Sequence, residues 1–157
     1  MATHTSTVPD VLDALKALLD ARRVAAPTGP LAGVEVRTAP SGDPVPFESI
    51  QFFGTAGDQE WGALGNRRRR ESYTIRAGIF ISKLGAGEAL AKEVRDRAYA
   101  ILAELEDAIR VSPTLGLPDR VVVQLARADL DQGINPDDGR VAALDIDLAV
   151  TAELVSS

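Results

Sequence analysis

Two stretches of the chain carry unmistakable hydrophobic periodicity, and they set the frame for the rest. From Ser72 to Ser82, Tyr73, Ile75, Ala77, Ile79 and Ile81 alternate with Ser72, Thr74, Arg76, Gly78 and Phe80. Period two over such a span predicts a strand with one buried and one wetter face. Near the end, Leu144, Ile146, Leu148, Val150, Ala152 and Leu154 alternate with Asp145, Asp147, Ala149, Thr151 and Glu153, a second strand of the same kind. Helical spacing appears twice. Val11, Leu12, Leu15, Leu18 and Leu19 recur at three- and four-residue steps within about Pro9 to Val24. Pro9 suits a first helical turn, Asp10 and Asp13 favour its positive end, and Arg22 and Arg23 favour its negative end. Leu90, Val94, Ala98, Ile101, Leu102, Leu105 and Ile109 mark a longer helix over about Gly87 to Arg110. At about 1.5 Å per residue it reaches about 36 Å, enough to cross a sheet. Its pairs Glu88–Lys92, Glu93–Arg97 and Glu106–Arg110 stand in the favourable i,i+4 order and add about 1 kcal/mol together.

Weaker signals fill the gaps. Val34 and Val36 suggest a short strand within Gly33 to Thr38, and Ser49 to Phe53 a second one after a proline-rich turn. Residues 54 to 66, with Gly54, Gly57, Gly62 and Gly65, read as a mobile loop ending in the run Arg67-Arg68-Arg69-Arg70. Val121 to Leu130 is a strand of ambiguous facing, because Val121, Val122 and Val123 run together, and a polar loop of ten residues leads on to the last strand. The last two strands should form an antiparallel hairpin. The predicted order is α-βββ-α-ββ, an α+β fold with a mainly antiparallel sheet and two helices packed on one face. At 157 residues the chain is expected to be a single domain, 1–157, with an ordered core of about 8–154 and a disordered tail at 1–7. A domain of this size buries roughly 68–70% of its unfolded surface and needs no staples.

Composition removes most chemistry. There is no cysteine, so disulfides, thiolate metal sites and cysteine nucleophiles are excluded. The single histidine, His4, lies in the expected tail, which leaves no histidine triad or imidazole metal site. Gly85-Ala86-Gly87 stands where a dinucleotide loop would, but Leu90 replaces the third glycine and Glu88 would face the pyrophosphate. A tight strand-to-helix turn explains those glycines better. Asp129, Asp131, Asn135, Asp137 and Asp138 suggest a calcium loop, yet Gly133, Ile134 and Arg140 occupy positions that need other residues. A solvated hairpin loop is the expectation there. Neither a cofactor nor a metal is expected, and the protein is expected not to be an enzyme. Met1 to Thr7 carry no signal-peptide pattern, and no apolar run approaches the roughly 20 residues of a membrane helix.

Charge is unevenly placed. From Asp129 to Ser157, seven acids stand against Arg140 alone, which accounts for the whole net charge of −6. The remainder is neutral and contains the arginine run. An acidic chain with few aromatics is a poor candidate for a nucleic-acid binder. Arginines beside Trp61 and Phe53 suit a protein interface better, so Trp61, Arg67, Arg68, Arg69 and Arg70 are the candidate interface residues.

The layout as a whole resembles the tail terminator (tail-to-head joining) proteins of long-tailed bacteriophages, over nearly everything from Val8 to Leu154. The resemblance rests on the opening amphipathic helix and on Trp61-Gly62-Ala63-Leu64-Gly65 followed by the basic run. It continues through the strand Glu71-Ser72-Tyr73-Thr74-Ile75 and the helix bearing Arg95-Asp96-Arg97-Ala98-Tyr99-Ala100-Ile101-Leu102. The Ser112-Pro113-Thr114-Leu115-Gly116 break and the closing hairpin complete it, with Leu117 standing where members often have a second glycine. It implies a ring, typically a hexamer, that caps the tail tube at its head-proximal end, stops tube polymerisation and offers a surface to the head connector protein. Expected partners are further copies of the chain, tail tube protein and head connector, with DNA passing through the lumen without sequence-specific binding and no membrane. The expected location is the virion tail, after assembly in the host cytoplasm. Alternatives are another head–tail connector or neck subunit, or a small monomeric ligand-binding or regulatory domain.

Overall fold

The computed structural model describes residues 6–40, 42, 46–61, 68–118, 120–135 and 139–155. Its elements follow the order α1 (Val8–Ala25), β1 (Glu35–Arg37), β2 (Glu48–Trp61), β3 (Arg68–Leu84), α2 (Glu88–Val111), β4 (Val122–Asn135) and β5 (Gly139–Val155). The fold is α+β, with two helices and a five-stranded sheet in the order β1-β2-β3-β5-β4. The sheet is mixed rather than antiparallel throughout. β1 runs parallel to β2, while β2, β3, β5 and β4 are antiparallel neighbours. A strand of three residues is too short to announce its direction in sequence.

One face of the sheet carries the core. Ile75, Ala77, Ile79 and Ile81 of β3 sit opposite Leu148, Ile146, Leu144 and Ala142 of β5, and all are buried. They join Val11, Leu15 and Leu19 of α1 and Val94, Ala98, Ile101 and Leu105 of α2 in one cluster. Each isoleucine or leucine so buried contributes about 1.5–3 kcal/mol relative to exposure. The helices are tied to each other by Arg22, whose guanidinium donates to Glu104 at 2.9 Å and Asp107 at 2.7 Å. Arg97 ties α2 to the start of β2 through Glu48 at 2.9 Å. Strand β3 turns into α2 across Gly85 and Gly87, whose φ angles of 128° and 101° only glycine adopts freely. These glycines make a tight turn. The valine ambiguity resolves cleanly: Val121 and Val123 are buried and Val122 faces out.

Three expectations need correction. Residues 54–61 are not loop but the second half of β2, paired residue by residue with β3. Gly54, Thr55, Ala56, Gly57 and Asp58 offer no apolar alternation because all are exposed, so nothing in the sequence marks them as strand. The polar stretch before the last strand is likewise strand on both sides: β4 continues to Asn135 and β5 begins at Gly139. Finally, Ser6 and Thr7 are not tail. Thr7 is buried at the N-cap position of α1. His4 and residues 62–67 lie outside the described residues, and among the described residues no helix is long and apolar enough to cross a membrane.

Candidate assembly interface

Past Phe52, β2 continues along β3 as an exposed edge arm, while β3 itself stays paired with β5 and keeps Tyr73 and Ile75 in the core. From Phe53 to Asp58 every β2 residue is exposed, and β3 opposite them is exposed at Ser72 and Arg76. Two contacts hold the arm flat. Phe53 lies over Gly78, where a Cβ would come within 2.8 Å of the phenyl ring. Gly57 lies against β3, where a Cβ would meet the Ser72 carbonyl oxygen and the Tyr73 Cβ, each at 2.3 Å. No other residue fits that approach.

Of the candidate interface residues, Trp61, Arg68, Arg69 and Arg70 fall at the far end of this stretch. Trp61 stands opposite Arg69, and Arg69 and Arg70 stand opposite Leu154 and Glu153 of β5. Arg68 begins β3, and Arg67 lies outside the described residues. The Arg70 guanidinium is 3.8 Å from Glu153, and Arg120 approaches the same carboxylate at 3.4 Å. The basic run and the acidic C-terminal segment therefore meet within one copy, at least at Glu153. Such exposed pairs contribute only about 0–1 kcal/mol and are easily exchanged for a partner.

At the far end of this stretch, next to the arginines, one carboxylate is buried. Glu71 is 4% exposed. It accepts hydrogen bonds from the Thr7 N–H at 2.9 Å, the Thr7 hydroxyl at 2.8 Å and the Ser6 hydroxyl. Since the Thr7 hydroxyl donates to Glu71, the Tyr73 hydroxyl donates to Thr7 Oγ1 at 3.0 Å. The carboxylate thus sits at the positive end of α1 and takes up the Thr7 N–H, while the Val8 N–H donates to Ser6 Oγ at 3.2 Å. Burial beside it pushes the Tyr73 phenol up to about 12. Sequence reasoning missed this latch, because Glu71 stood out only as the first residue of the strand that follows the arginines.

No protein-family model and no curated protein matches the chain. Its surfaces must speak through their own geometry.

The sheet ends in two partly bare edges. β1 covers β2 only at Ser49, Ile50 and Gln51, so the outer edge of β2 from Phe52 onward has no strand beside it among the described residues. The outer edge of β4 is met at its beginning, where the Val123 N–H donates to the Pro113 carbonyl at 3.0 Å. Beyond that point β4 is the last strand of the sheet. β2 and β4 run in opposite directions, and each is covered near its own start. The bare stretches therefore lie diagonally across the sheet. Both edges also bulge at the same height: the irregularities at Phe52/Gly54 and Leu125/Arg127 flank one row, Gly54–Arg76–Asp147–Arg127.

The sheet face away from the helices is charged. Asp145 stands opposite Asp129, with Asp131 and Asp147 beside them, and Arg127 forms an ion pair with Asp129. The neighbouring acids hold the Arg127 guanidinium above its ordinary range, Asp129 first, then Asp147 and Asp145. Asp129 and Asp131 thus stand on a strand rather than in a calcium-type loop, while Asp137 and Asp138 lie outside the described residues.

Proposed function

We propose that this chain is a ring-forming, non-catalytic subunit, a tail terminator of a long-tailed phage that caps the tail tube and presents the head-joining surface. The observation that carries the reading is the pair of bare strand edges at opposite corners of one sheet. Unpaired edges of this length invite addition of another strand, a liability for a lone molecule and the means of closure for a ring. Diagonal placement favours head-to-tail addition, which closes around an axis, over a single symmetric pairing.

Three further features support it. Among the described residues the buried polar side chains are Thr7, Ser49, Glu71 and Ser82, and Glu71 is spent on the start of α1. Among the described residues Glu71 is the one buried carboxylate. The end of the sheet where Trp61 stands opposite Arg69 is the surface that meets a neighbouring copy or the tube. An acidic face toward the channel lets DNA slide without sticking.

The test is assembly. Replacing Arg67, Arg68, Arg69 and Arg70 together by Ala is expected to weaken ring formation, measured as mass by light scattering and as capping of tube protein in micrographs. Unchanged mass and unchanged capping would remove the arm from the interface. A protein that stays monomeric with tube protein present would end the ring reading itself.

A further inference from the structure

The diagonal edges determine more than that copies associate. We propose that β4 of one copy adds antiparallel to the arm strand β2 of the next, with Arg127 opposite Asp58, so that the sheets join into one tilted barrel. This deepens the ring reading and rests on it.

Strand direction comes first. β2, β3, β5 and β4 alternate in direction. A rotation that repeats this unit brings β4 against the next β2 with opposite polarity, so the alternation continues unbroken. β1 stands outside the repeat, beside the covered half of β2.

Register comes next. Side-chain alternation forbids a slip of one residue, which would turn each joined face over. Arg127 and Asp58 belong to the same face, since they share rows with Asp147 and with Ser72. Placing them opposite each other puts Asp129 against Ala56 and Asp131 against Gly54. On the other face Ala128 meets Gly57 and Leu130 meets Thr55. Moving two residues one way brings Arg127 opposite Glu60 but sets Asp129 against Asp58, a like-charge pair that is disfavoured directly across strands and that the chosen register avoids. Moving two residues the other way sets Arg127 against Ala56 and loses the ion pair. The charges select one register.

Geometry closes the case. The Asp58 row crosses β5 at Thr151 and the Arg127 row at Asp147, four residues apart. At about 3.3 Å per residue the next copy is displaced by about 13 Å along the strands, over a repeat of four strands at about 4.8 Å each. Bringing the ring level then tilts the strands by about 35°, within the roughly 35–45° of closed barrels.

The chain has no cysteine, so introduced thiols report cleanly. In Ala56→Cys/Asp129→Cys, mild oxidation is expected to give a ladder of linked species ending at the ring, while either single variant gives none. Charge reversal supplies the second readout. Arg127→Asp or Asp58→Arg alone is expected to weaken association at least about tenfold, and the double reversal to restore it, with circular dichroism confirming that all variants fold. Rings in micrographs without the ladder or the rescue would overturn the pairing and leave the ring reading standing. Linked dimers from Asp129→Cys alone would mean symmetric β4–β4 pairing and overturn it too. Neither rings nor links, with folded protein and tube protein present, would overturn both.

Discussion

The two halves of β2 lie in one continuous strand and yet obey different rules. Its first half, Glu48 to Phe52, is fastened by burial: Ile50 and Phe52 are inside, and Glu48 meets Arg97. Its second half, Gly54 to Asp58, buries nothing and is held by backbone pairing to β3, by one aromatic over Gly78 and by one glycine against Tyr73. A strand can thus be specified by its neighbour when its own sequence is silent. Stability resides in the first half, and the surface available to a partner in the second.

The strongest way to test that contrast is to strike the covered side. Ile75→Ala removes a fully buried side chain from the middle of β3 and is expected to cost about 3–4 kcal/mol in denaturant unfolding. A loss under about 1 kcal/mol would mean that the core is not centred there. At the end next to the arginines, Glu71→Ala strands the Thr7 N–H in a buried setting, while the Thr7 hydroxyl keeps Tyr73 as a partner, and is expected to cost about 2 kcal/mol, read the same way. In the arm, Gly57→Ala forces β2 away from the Ser72 carbonyl. It should cost only about 1 kcal/mol globally while amide exchange at 54–58 speeds up markedly, since local opening there does not open the core. Equal protection before and after would show that the arm tolerates the extra carbon. The subtlest effect is on the alkaline side. Tyr73 keeps its proton to about 12 when folded, against 10.0 for the free phenol. The unfolded chain then binds fewer protons between these values, so this stability is full below pH 10 and declines as pH rises through 12. In a Tyr99→Phe background, tyrosinate absorbance should appear late, and Tyr73→Phe should flatten the alkaline decline in Tm.

The same contrast explains how much could be read from the chain. Both helices and the two long alternating strands were legible because burial writes period 3.6 or period 2 into the residues that experience it, as in Val94 to Ile109 or Leu144 to Leu154. The arm was not, because Gly54-Thr55-Ala56-Gly57-Asp58 follow the path of β3 without burying a face. The direction of β1 depends on three residues and a neighbour. Of the candidate interface, the sequence located Trp61 and the arginine run as a group. It could not show that Arg70 already meets Glu153 across the sheet, or that Glu71 turns inward, since both facts depend on register with β5 and on the placement of α1. The bare edges, too, are properties of strand order rather than of any residue.

The buried carboxylate has one last consequence. It belongs to the strand that leads out to the arginines, while the hydroxyl it grips belongs to the opening turn of the first helix. A load applied at the far end of the hairpin therefore arrives at that turn before it reaches the hydrocarbon interior. Docking at the tip would be felt as tension on a helix start, and what yields first is a clasp of three hydrogen bonds rather than the packing behind it.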